Sequence, residues 1–271
     1  MIRLGKINFA NCDFPYYGME HGYTQAHDIV ITEGHPVELA RKLACNELDI
    51  SPISSIMYPE IDDLLILPHL SITSNDFTKS VLICAGCEMK LEDMDGGTLY
   101  ITDISASSAA LIKIILALKG ISVEIKQFGA QMPELKPGEA ALLIGDSALR
   151  AVGRYRIIAD LGNEWKKLTG RKMVYAVWAV RKEYARDEPE SVAYTLDCLL
   201  KSKEYACSHV DEIAVALSIS KAISVDFMNE YLHTLNYDFD KESRASLELY
   251  YKYAEQFGII KSKVPLRFFG R

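Results

Sequence analysis

The chain has 271 residues, enough for two lobes that each bury their own core, and 49% of them are apolar. Its formal net charge is −7 and its basic side chains do not cluster, which argues against a nucleic-acid partner. No apolar run approaches the roughly 18 residues of a membrane span, and the first residues lack the pattern of a secretory signal, so we expect a cytoplasmic protein without membrane contact.

Apolar alternation near the amino terminus predicts short strands separated by polar turns. The predicted strands lie at residues 2–9, 28–32 and 48–53, and a helix begins at Pro36. The first strand runs into a loop that carries Asn11 ahead of Pro15. The third strand runs into Ser54 and Ser55, so polar groups follow the ends of two strands.

The rest of the chain separates into a strand-rich part and a helical part. Further strands are predicted at 64–73, 81–84, 98–102, 121–128, 140–144, 156–159 and 173–180. Helices are predicted at 107–119, from residue 147, around Trp165, and at 191–206, 210–217, 227–232 and 243–257. A charged, turn-rich stretch at 88–97 separates the first set of strands from the second.

This order of elements predicts an α/β protein of two lobes, each a mixed sheet flanked by helices. We assign residues 1–94 and 177–271 to one lobe and residues 95–176 to the other, with two crossing strands as a hinge. Strand ends and helix N-termini then surround a central cleft, where open α/β proteins bind ligands. We therefore predict a small-molecule site between the lobes.

A serine cluster precedes the apolar helix predicted at 107–119. Ser105, Ser107 and Ser108 supply hydroxyls next to the free amides of a helix N-terminus, a natural site for a carboxylate or a phosphate. A plain helix cap is the alternative interpretation of the same residues.

Polar residues at three strand ends form a second candidate group. Ser54 and Ser55 end one predicted strand. Asn11 follows another, and Ser80 opens a third. Each of these residues taken alone is more often part of a turn than of a binding site, so their convergence is a hypothesis.

Cofactor and metal signals are weak. Gly145-Asp146 follows an apolar strand as in a nucleotide-binding turn, and we count Asp146 among the candidate substrate-binding residues, but the glycine-rich fingerprints of nucleotide sites are absent. The histidines lack metal-ligand spacing, and the pair formed by Cys84 and Cys87 has no second pair. We expect neither a cofactor nor a metal ion.

Longer strings in the sequence carry more information than single residues. They are KINFANC at 6–12, LDISPISS at 48–55, KSVL at 79–82, AALLIGDSALRA at 140–151, DLGNEWKKLTG at 160–170 and AVWAVR at 176–181. In this order they resemble the chorismate dehydratase family of the futalosine route to menaquinone. The resemblance runs from residue 2 to about residue 190, with a weaker similarity in YLHTLNY at 231–237.

The resemblance implies a type II periplasmic-binding-protein-like fold and an enzyme that removes water from chorismate to give 3-[(1-carboxyvinyl)oxy]benzoate. Asn11 and Ser80 fall on the family's functional asparagine and serine. The residues implied to bind the substrate or line its cleft are Ser54, Ser55, Ser107 and Ser108. The chain departs from the family pattern after Asn11, where Pro15 stands one position later than expected.

The resemblance also implies a mechanism in which the substrate takes part. The matched residues are serine and asparagine, with no His, Glu or Lys placed as a base. The enolpyruvyl carboxylate of chorismate would take the ring C3 proton while the C4 hydroxyl leaves, and Asn11 would position that hydroxyl or the developing charge.

Other functions of the same fold remain open at this point. One is a non-catalytic solute-binding protein for small anions, which normally carries an export signal. Another is the sister enzyme 1,4-dihydroxy-6-naphthoate synthase, whose amino-terminal S-P-C-P-N-D-T string is absent here. A relative that converts chorismate to another product is a third. We expect a monomer or a homodimer.

Overall fold

Two mixed β-sheets flanked by helices form the framework of this computed structural model, which describes residues 1–102, 104, 106–129, 131–262 and 265–270. In chain order the elements are β1 (Ile2–Ile7), α1 (Ala10–Glu20), β2 (Ile29–Gly34), α2 (Pro36–Ala44), β3 (Ile50–Ser54), β4 (Leu64–Ser74), β5 (Val81–Ala85), β6 (Thr98–Thr102), α3 (Ala106–Lys119), β7 (Glu124–Phe128), β8 (Glu139–Ile144), α4 (Gly145–Ala151), β9 (Arg156–Asp160), α5 (Leu161–Thr169) and β10 (Met173–Arg181). They continue with α6 (Lys182–Asp187), α7 (Pro189–Ser208), α8 (Val210–Lys221), α9 (Val225–Thr234), β11 (Leu235–Asn236) and α10 (Lys241–Gln256), and 3-10 turns lie at Ser55–Glu60 and Leu91–Met94.

Each sheet combines parallel and antiparallel pairs, as the predicted fold class requires. The first sheet has the order β11-β4-β10-β3-β1-β2, in which β1 runs parallel to β2 and β3 while β10 runs antiparallel to β3 and β4. The second sheet has the order β7-β6-β8-β5-β9, in which β6 runs parallel to β7 and β8 while β5 runs antiparallel to β8 and β9. The chain therefore crosses from the first sheet to the second after β4 and returns before β10.

The predicted lobe boundaries need correction. The boundary at residue 94 assigned β5 to the first lobe, whereas β5 pairs with β8 and β9 in the second sheet. The boundary at residues 176 and 177 cuts through β10, all of which belongs to the first sheet. A short, fully buried apolar strand such as β5 fits the interior of either sheet, so its sequence does not indicate its partners. Among the described residues, those of 1–74 and 173–270 belong with the first sheet, those of 81–169 belong with the second sheet, and residues 75–80 form the first crossing segment.

The predicted loop at Asn11 is a helix in the structure. Helix α1 begins at Ala10 and contains Pro15, which cannot donate an amide hydrogen bond to the turn before it. Burial of one side of α1 compensates: the Tyr16 hydroxyl donates to the Gly5 carbonyl oxygen (2.6 Å), and Tyr16 is fully buried. Tertiary packing thus stabilises a helix that the local sequence disfavours, and it places Asn11 in the first turn of that helix.

Helices from the carboxyl-terminal part complete the first lobe. The 20-residue helix α7 packs against α1, and α10 packs against β10 and also against α3 of the second lobe. Within the part of the chain that the structure describes, no helix has the length and apolar character needed to cross a bilayer.

A buried carboxylate joins three strands of the first sheet. Asp49, 2% exposed, precedes β3 and accepts hydrogen bonds from the Arg3 guanidinium of β1 (2.6 Å) and from Arg181 Nη2 at the end of β10 (3.0 Å). Burial opposes ionisation, but the hydrogen bonds from Arg3 and Arg181 outweigh it and lower the pKa of Asp49 below its ordinary value.

Replacing this carboxylate should weaken the sheet in a pH-dependent way. We expect Asp49→Asn to lower the free energy of unfolding at pH 7 by about 2 kcal/mol, less than for a fully buried pair because Arg3 is partly exposed. The folded-state pKa is depressed, so the native ion pair contributes fully above about pH 4 and is lost as the pH falls through the folded-state value. Urea unfolding at pH 7, 5 and 3, with Asp62→Asn as an exposed control, should show the difference between wild type and Asp49→Asn shrinking at pH 3. A difference that stays constant down to pH 3 would contradict this account.

Candidate functional site

A cavity lies where the two lobes meet. Its accessible volume is about 50 Å³, and its apolar wall includes Phe9, Ile72 and Ile144. Its polar lining residues are Asn11, Ser54, Thr78, Ser80, Ser107, Ser108 and Tyr175. None of the lining residues that the structure describes carries a charge. Hydroxyl and amide groups are therefore the polar chemistry that these residues supply.

The position of this cavity, more than its size, makes it the candidate site. Larger hollows of about 550 to 580 Å³ open elsewhere, but each is lined only by residues of the first lobe. The cavity between the lobes collects strand ends and the start of α3, the features around which α/β proteins bind ligands. Its volume is far below the roughly 300 to 1000 Å³ of ordinary ligand pockets, so the lobes are close together in this conformation.

The structure brings together most of the residues singled out in the sequence. Asn11, Ser54, Ser80, Ser107 and Ser108 all line the cavity. Ser55 lies directly behind them and is fully buried, while Ser105 lies outside the described residues. Asp146 is the exception and is not among the lining residues.

The start of α3 is bonded to the first lobe through Ser107. The Ile56 backbone amide donates to Ser107 Oγ (3.2 Å), and Ser55 Oγ lies 3.2 Å from the same atom. Ser55 Oγ in turn donates to the Val174 carbonyl oxygen (2.7 Å). The Tyr250 hydroxyl donates to the Ser107 carbonyl oxygen (2.9 Å). In this conformation the Ser107 hydroxyl therefore joins the lobes, which was not apparent from its place at a predicted helix start.

Asp146 also joins the lobes. Its Oδ1 accepts a hydrogen bond from the Ala10 amide at the start of α1 (3.0 Å), and its Oδ2 lies 3.4 Å from Lys221 Nζ. Lys221 also pairs with Asp13 on α1 (2.7 Å). In this conformation the Ala10 amide and Lys221 contact the Asp146 carboxylate, and a substrate contact through Asp146 stays a prediction.

The first crossing segment is fixed by a buried carboxylate that the sequence analysis did not single out. Asp160 caps α5 by accepting from two amides of its first turn. It also accepts from the Thr78 amide (3.1 Å) and the Lys79 amide (2.7 Å). Lys79 adopts a positive φ of 57°, which turns the chain so that Thr78 Oγ1 lies 3.3 Å from Ser80 Oγ at the cavity. Burial outweighs these four amide bonds and raises the pKa of Asp160. An aspartate directly before a helix is a recognisable cap in a sequence. Its bonds to the Thr78 and Lys79 amides join residues about 80 positions apart, so the sequence does not indicate them.

Asn11 and two tyrosines complete the polar part of the site. The Asn11 Oδ1 atom is buried and has no hydrogen-bond partner among the residues that the structure describes. Tyr231 of α9 faces Asn11 and Ser80; burial raises its pKa, and the contacts with these two side chains partly offset that rise. Tyr175 of β10 lines the cavity, with its hydroxyl 3.2 Å from Ser74 Oγ. Neither tyrosine carried a local sequence signal for a site.

Metal ligands are not assembled at any described position. Across residues 1–102, 104, 106–129, 131–262 and 265–270, no three His, Cys, Asp or Glu side chains are grouped so that they could hold a metal ion. The polar lining described above consists instead of neutral hydrogen-bonding groups.

Comparison with known proteins places the chain in a family. The profile of a protein family described as "Menaquinone biosynthesis" matches residues 2–256. The chain belongs to the menaquinone biosynthesis family. The chain is similar in sequence to a curated protein, the chorismate dehydratase of Thermus thermophilus. The two are 25% identical over 258 residues, which cover 88% of this chain and 90% of that protein. The relationship predicted from the sequence strings is confirmed.

Solved structures confirm the periplasmic-binding-protein-like fold of this menaquinone biosynthesis protein. A protein of Archaeoglobus fulgidus superposes with a TM-score of 0.77 at 20% identity, covering 96% of this chain and 98% of that chain. The periplasmic aliphatic sulphonate binding protein of Escherichia coli superposes with a TM-score of 0.69 at 13% identity, covering 100% and 94%. A Candida albicans protein described as having the generic periplasmic binding protein fold gives a TM-score of 0.68 at 12% identity, covering 97% and 92%.

Loss of the Asp160 carboxylate should release the first crossing segment of this menaquinone biosynthesis protein. We expect Asp160→Ala to lower the free energy of unfolding by about 2 to 3 kcal/mol, because buried amides lose a charged acceptor. Hydrogen–deuterium exchange should accelerate in a peptide that covers residues 76–82. Asp240→Ala is the matched control, since Asp240 caps α10 through the Ser243 amide (2.6 Å) far from this segment. Equal exchange at residues 76–82 in the two variants would contradict the assignment.

Proposed function

We propose that this chain is a chorismate dehydratase, a carbon–oxygen lyase that acts in the cytoplasm on the futalosine route to menaquinone. Membership of the menaquinone biosynthesis family and the similarity to a curated chorismate dehydratase support this proposal. The structural observation that carries it is the cavity between the lobes, where Asn11 and Ser80 meet and no described lining residue is charged. Such a cavity suits a reaction in which a carboxylate of the substrate, and not a side chain of the protein, acts as the base.

The reaction is a 1,2-elimination that needs one proton acceptor and one leaving group. Chorismate loses the hydrogen on ring C3 and the hydroxyl on C4, and the new C3–C4 double bond makes the ring aromatic. The enolpyruvyl carboxylate attached through oxygen at C3 takes the proton, and the hydroxide that leaves C4 receives that same proton from the carboxyl group to form water. The product is 3-[(1-carboxyvinyl)oxy]benzoate. Aromatisation supplies much of the driving force, so the protein's task is to hold one reactive pose.

Neutral donors at the cavity are suited to holding that pose. The ring carboxylate binds at the start of α3, where Ser108 and the first-turn amides of a 14-residue helix supply hydrogen bonds and the positive end of the helix dipole. Ser107 contributes mainly through its backbone, because its hydroxyl already contacts the first lobe. Ser54 adds a further hydroxyl from the opposite wall. Holding a reactive pose lowers the barrier by several kcal/mol, up to roughly 7 to 11 at best.

Asn11 and Ser80 act at the reacting end of the substrate. The Asn11 amide donates to the departing C4 hydroxyl, and Ser80 orients the enolpyruvyl carboxylate toward the C3 hydrogen. Asn11 faces the charge that grows on the hydroxyl as the C–O bond breaks, so its hydrogen bond is stronger in the transition state than in the ground state. Ser80 contributes by orientation, because the carboxylate loses charge as it takes the proton.

The activity is tested directly by incubating the purified protein with chorismate and following the products by mass spectrometry. We expect the loss of one water from chorismate. Loss of pyruvate instead would identify a relative with another product. Unchanged chorismate would identify a binder or an enzyme for another substrate, and either of these results would overturn the proposal.

The two reacting-end residues are tested by Asn11→Asp and Ser80→Ala. We expect each variant to fold and to lose roughly 10- to 150-fold in kcat/KM, the equivalent of one hydrogen bond to a charged group. Ser246→Ala is the matched control. Ser246 is buried, does not line the cavity, and its hydroxyl has no hydrogen-bond partner among the described residues. Near-normal turnover in both site variants would show that the residue assignment is incorrect.

We further propose that catalysis uses no metal ion. Turnover should be unchanged after dialysis against EDTA, because neutral side chains and the substrate supply every group that the reaction needs. Activity that disappears on this treatment and returns when a divalent cation is added would refute this part of the proposal.

A further inference from the structure

Tyr231 is a buried tyrosine whose hydroxyl lacks a structural explanation. It lies on α9 with an exposed fraction of 0%, and its Oη has no hydrogen-bond partner in the described part of the chain. Buried polar atoms without partners are rare, because burial removes hydrogen bonds to water that nothing replaces. The few that occur in native structures tend to have a use that an unliganded structure does not satisfy.

The side chain of Asn11 lies near the Tyr231 hydroxyl and carries an atom that complements it. Asn11 Oδ1 is likewise buried without a partner, and Asn11 and Ser80 both contribute to the electrostatic environment of the Tyr231 hydroxyl. A phenol supplies an O–H donor, whereas an amide oxygen can only accept. A small adjustment that brings the two together would satisfy both orphaned atoms with a single hydrogen bond.

Helix α9 is held against the first crossing segment by neighbours of these residues. Lys79 Nζ forms an ion pair with Glu230 and lies 5.5 Å from the centre of the Phe227 ring. Phe227, Glu230 and Tyr231 are spaced as i, i+3 and i+4, so they share one face of α9. That face therefore meets residues 79 and 80, and the contacts of Lys79 keep Tyr231 next to Ser80.

We propose that Tyr231 is a positioning residue for Asn11, and this inference rests on the proposed function. When chorismate occupies the cavity, the Tyr231 hydroxyl donates to Asn11 Oδ1. The NH₂ group of Asn11 is then directed toward the departing C4 hydroxyl. Without this bond the amide can rotate by 180° and present its oxygen, which repels the charge that develops on the leaving group. Tyr231 therefore decides which end of the amide meets the substrate.

The test compares two tyrosines that undergo the same chemical change. Tyr231→Phe removes the hydroxyl and keeps the ring. Tyr237→Phe is the matched control, because the Tyr237 hydroxyl is also buried without a described partner and its ring stacks on Phe14 at 5.0 Å. We expect kcat for chorismate to fall roughly 10- to 100-fold in Tyr231→Phe with little change in KM, and to stay within about twofold of wild type in Tyr237→Phe. Both variants should unfold thermally at the wild-type midpoint. Wild-type turnover by Tyr231→Phe, or an equal loss in both variants, would overturn the inference while the proposed function stands.

A double-mutant cycle tests whether Tyr231 acts through Asn11. In an Asn11→Ala background, Tyr231→Phe should change kcat by less than about twofold, since the group that it positions is already gone. Independent, multiplicative losses would overturn the positioning role.

The hydrogen bond itself can be measured separately from turnover. If wild-type protein does not dehydrate chorismate, the proposed function fails, and a crystal structure grown with chorismate still decides the inference. A Tyr231 Oη to Asn11 Oδ1 distance within about 3.2 Å supports it, and a distance beyond about 3.5 Å overturns it.

Discussion

One buried carboxylate, that of Asp160, controls the geometry on which the cavity depends. It accepts amides from the first turn of α5 and from the first crossing segment at the same time. The segment is short, and the carboxylate fixes the Thr78 and Lys79 amides at the point where Lys79 adopts a positive φ. Ser80 follows directly, so the position of a cavity hydroxyl is set by a residue in the second lobe. The first crossing segment thus both connects the lobes and supplies polar residues of the cavity.

Polar contacts of Ser107 and of Asp146 also join the lobes, and both sets leave the cavity lining neutral. Ser107 at the start of α3 bonds to the 3-10 turn of the first lobe, while Asp146 on α4 bonds to the Ala10 amide and approaches Lys221. The charged groups of this interface lie around Asp146, Lys221 and Asp13 rather than in the cavity lining. An anion placed between the lobes therefore encounters helix amides and hydroxyls without an adjacent carboxylate among the described lining residues. This separation permits an acidic protein to bind an acidic molecule.

The sequence predicted most of the strands and helices because apolar periodicity is a local property. It also indicated the serines and the asparagine that now line the cavity. Helix α1 was missed because Pro15 is a local signal against a helix, whereas burial of Tyr16 is a tertiary effect. The lobe boundary was misplaced because pairing of β5 depends on β8 and β9, which come much later in the chain. Tyr231 was not a candidate for the same reason: its helix α9 is far from Asn11 in the sequence, and only folding brings the two residues together.

Gly145 shows how closely the two lobes approach each other. It has a φ of +54°, and a Cβ placed on it would come within 2.8 Å of the Phe9 ring. Phe9 precedes α1 in the first lobe, while Gly145 is the first residue of α4 in the second lobe. Because glycine has no Cβ, the Phe9 ring can pack directly against the backbone of Gly145. A larger residue at position 145 would collide with Phe9 and hold the two lobes further apart. The distance between the two lobes at this point is therefore set by the absence of a side chain on Gly145.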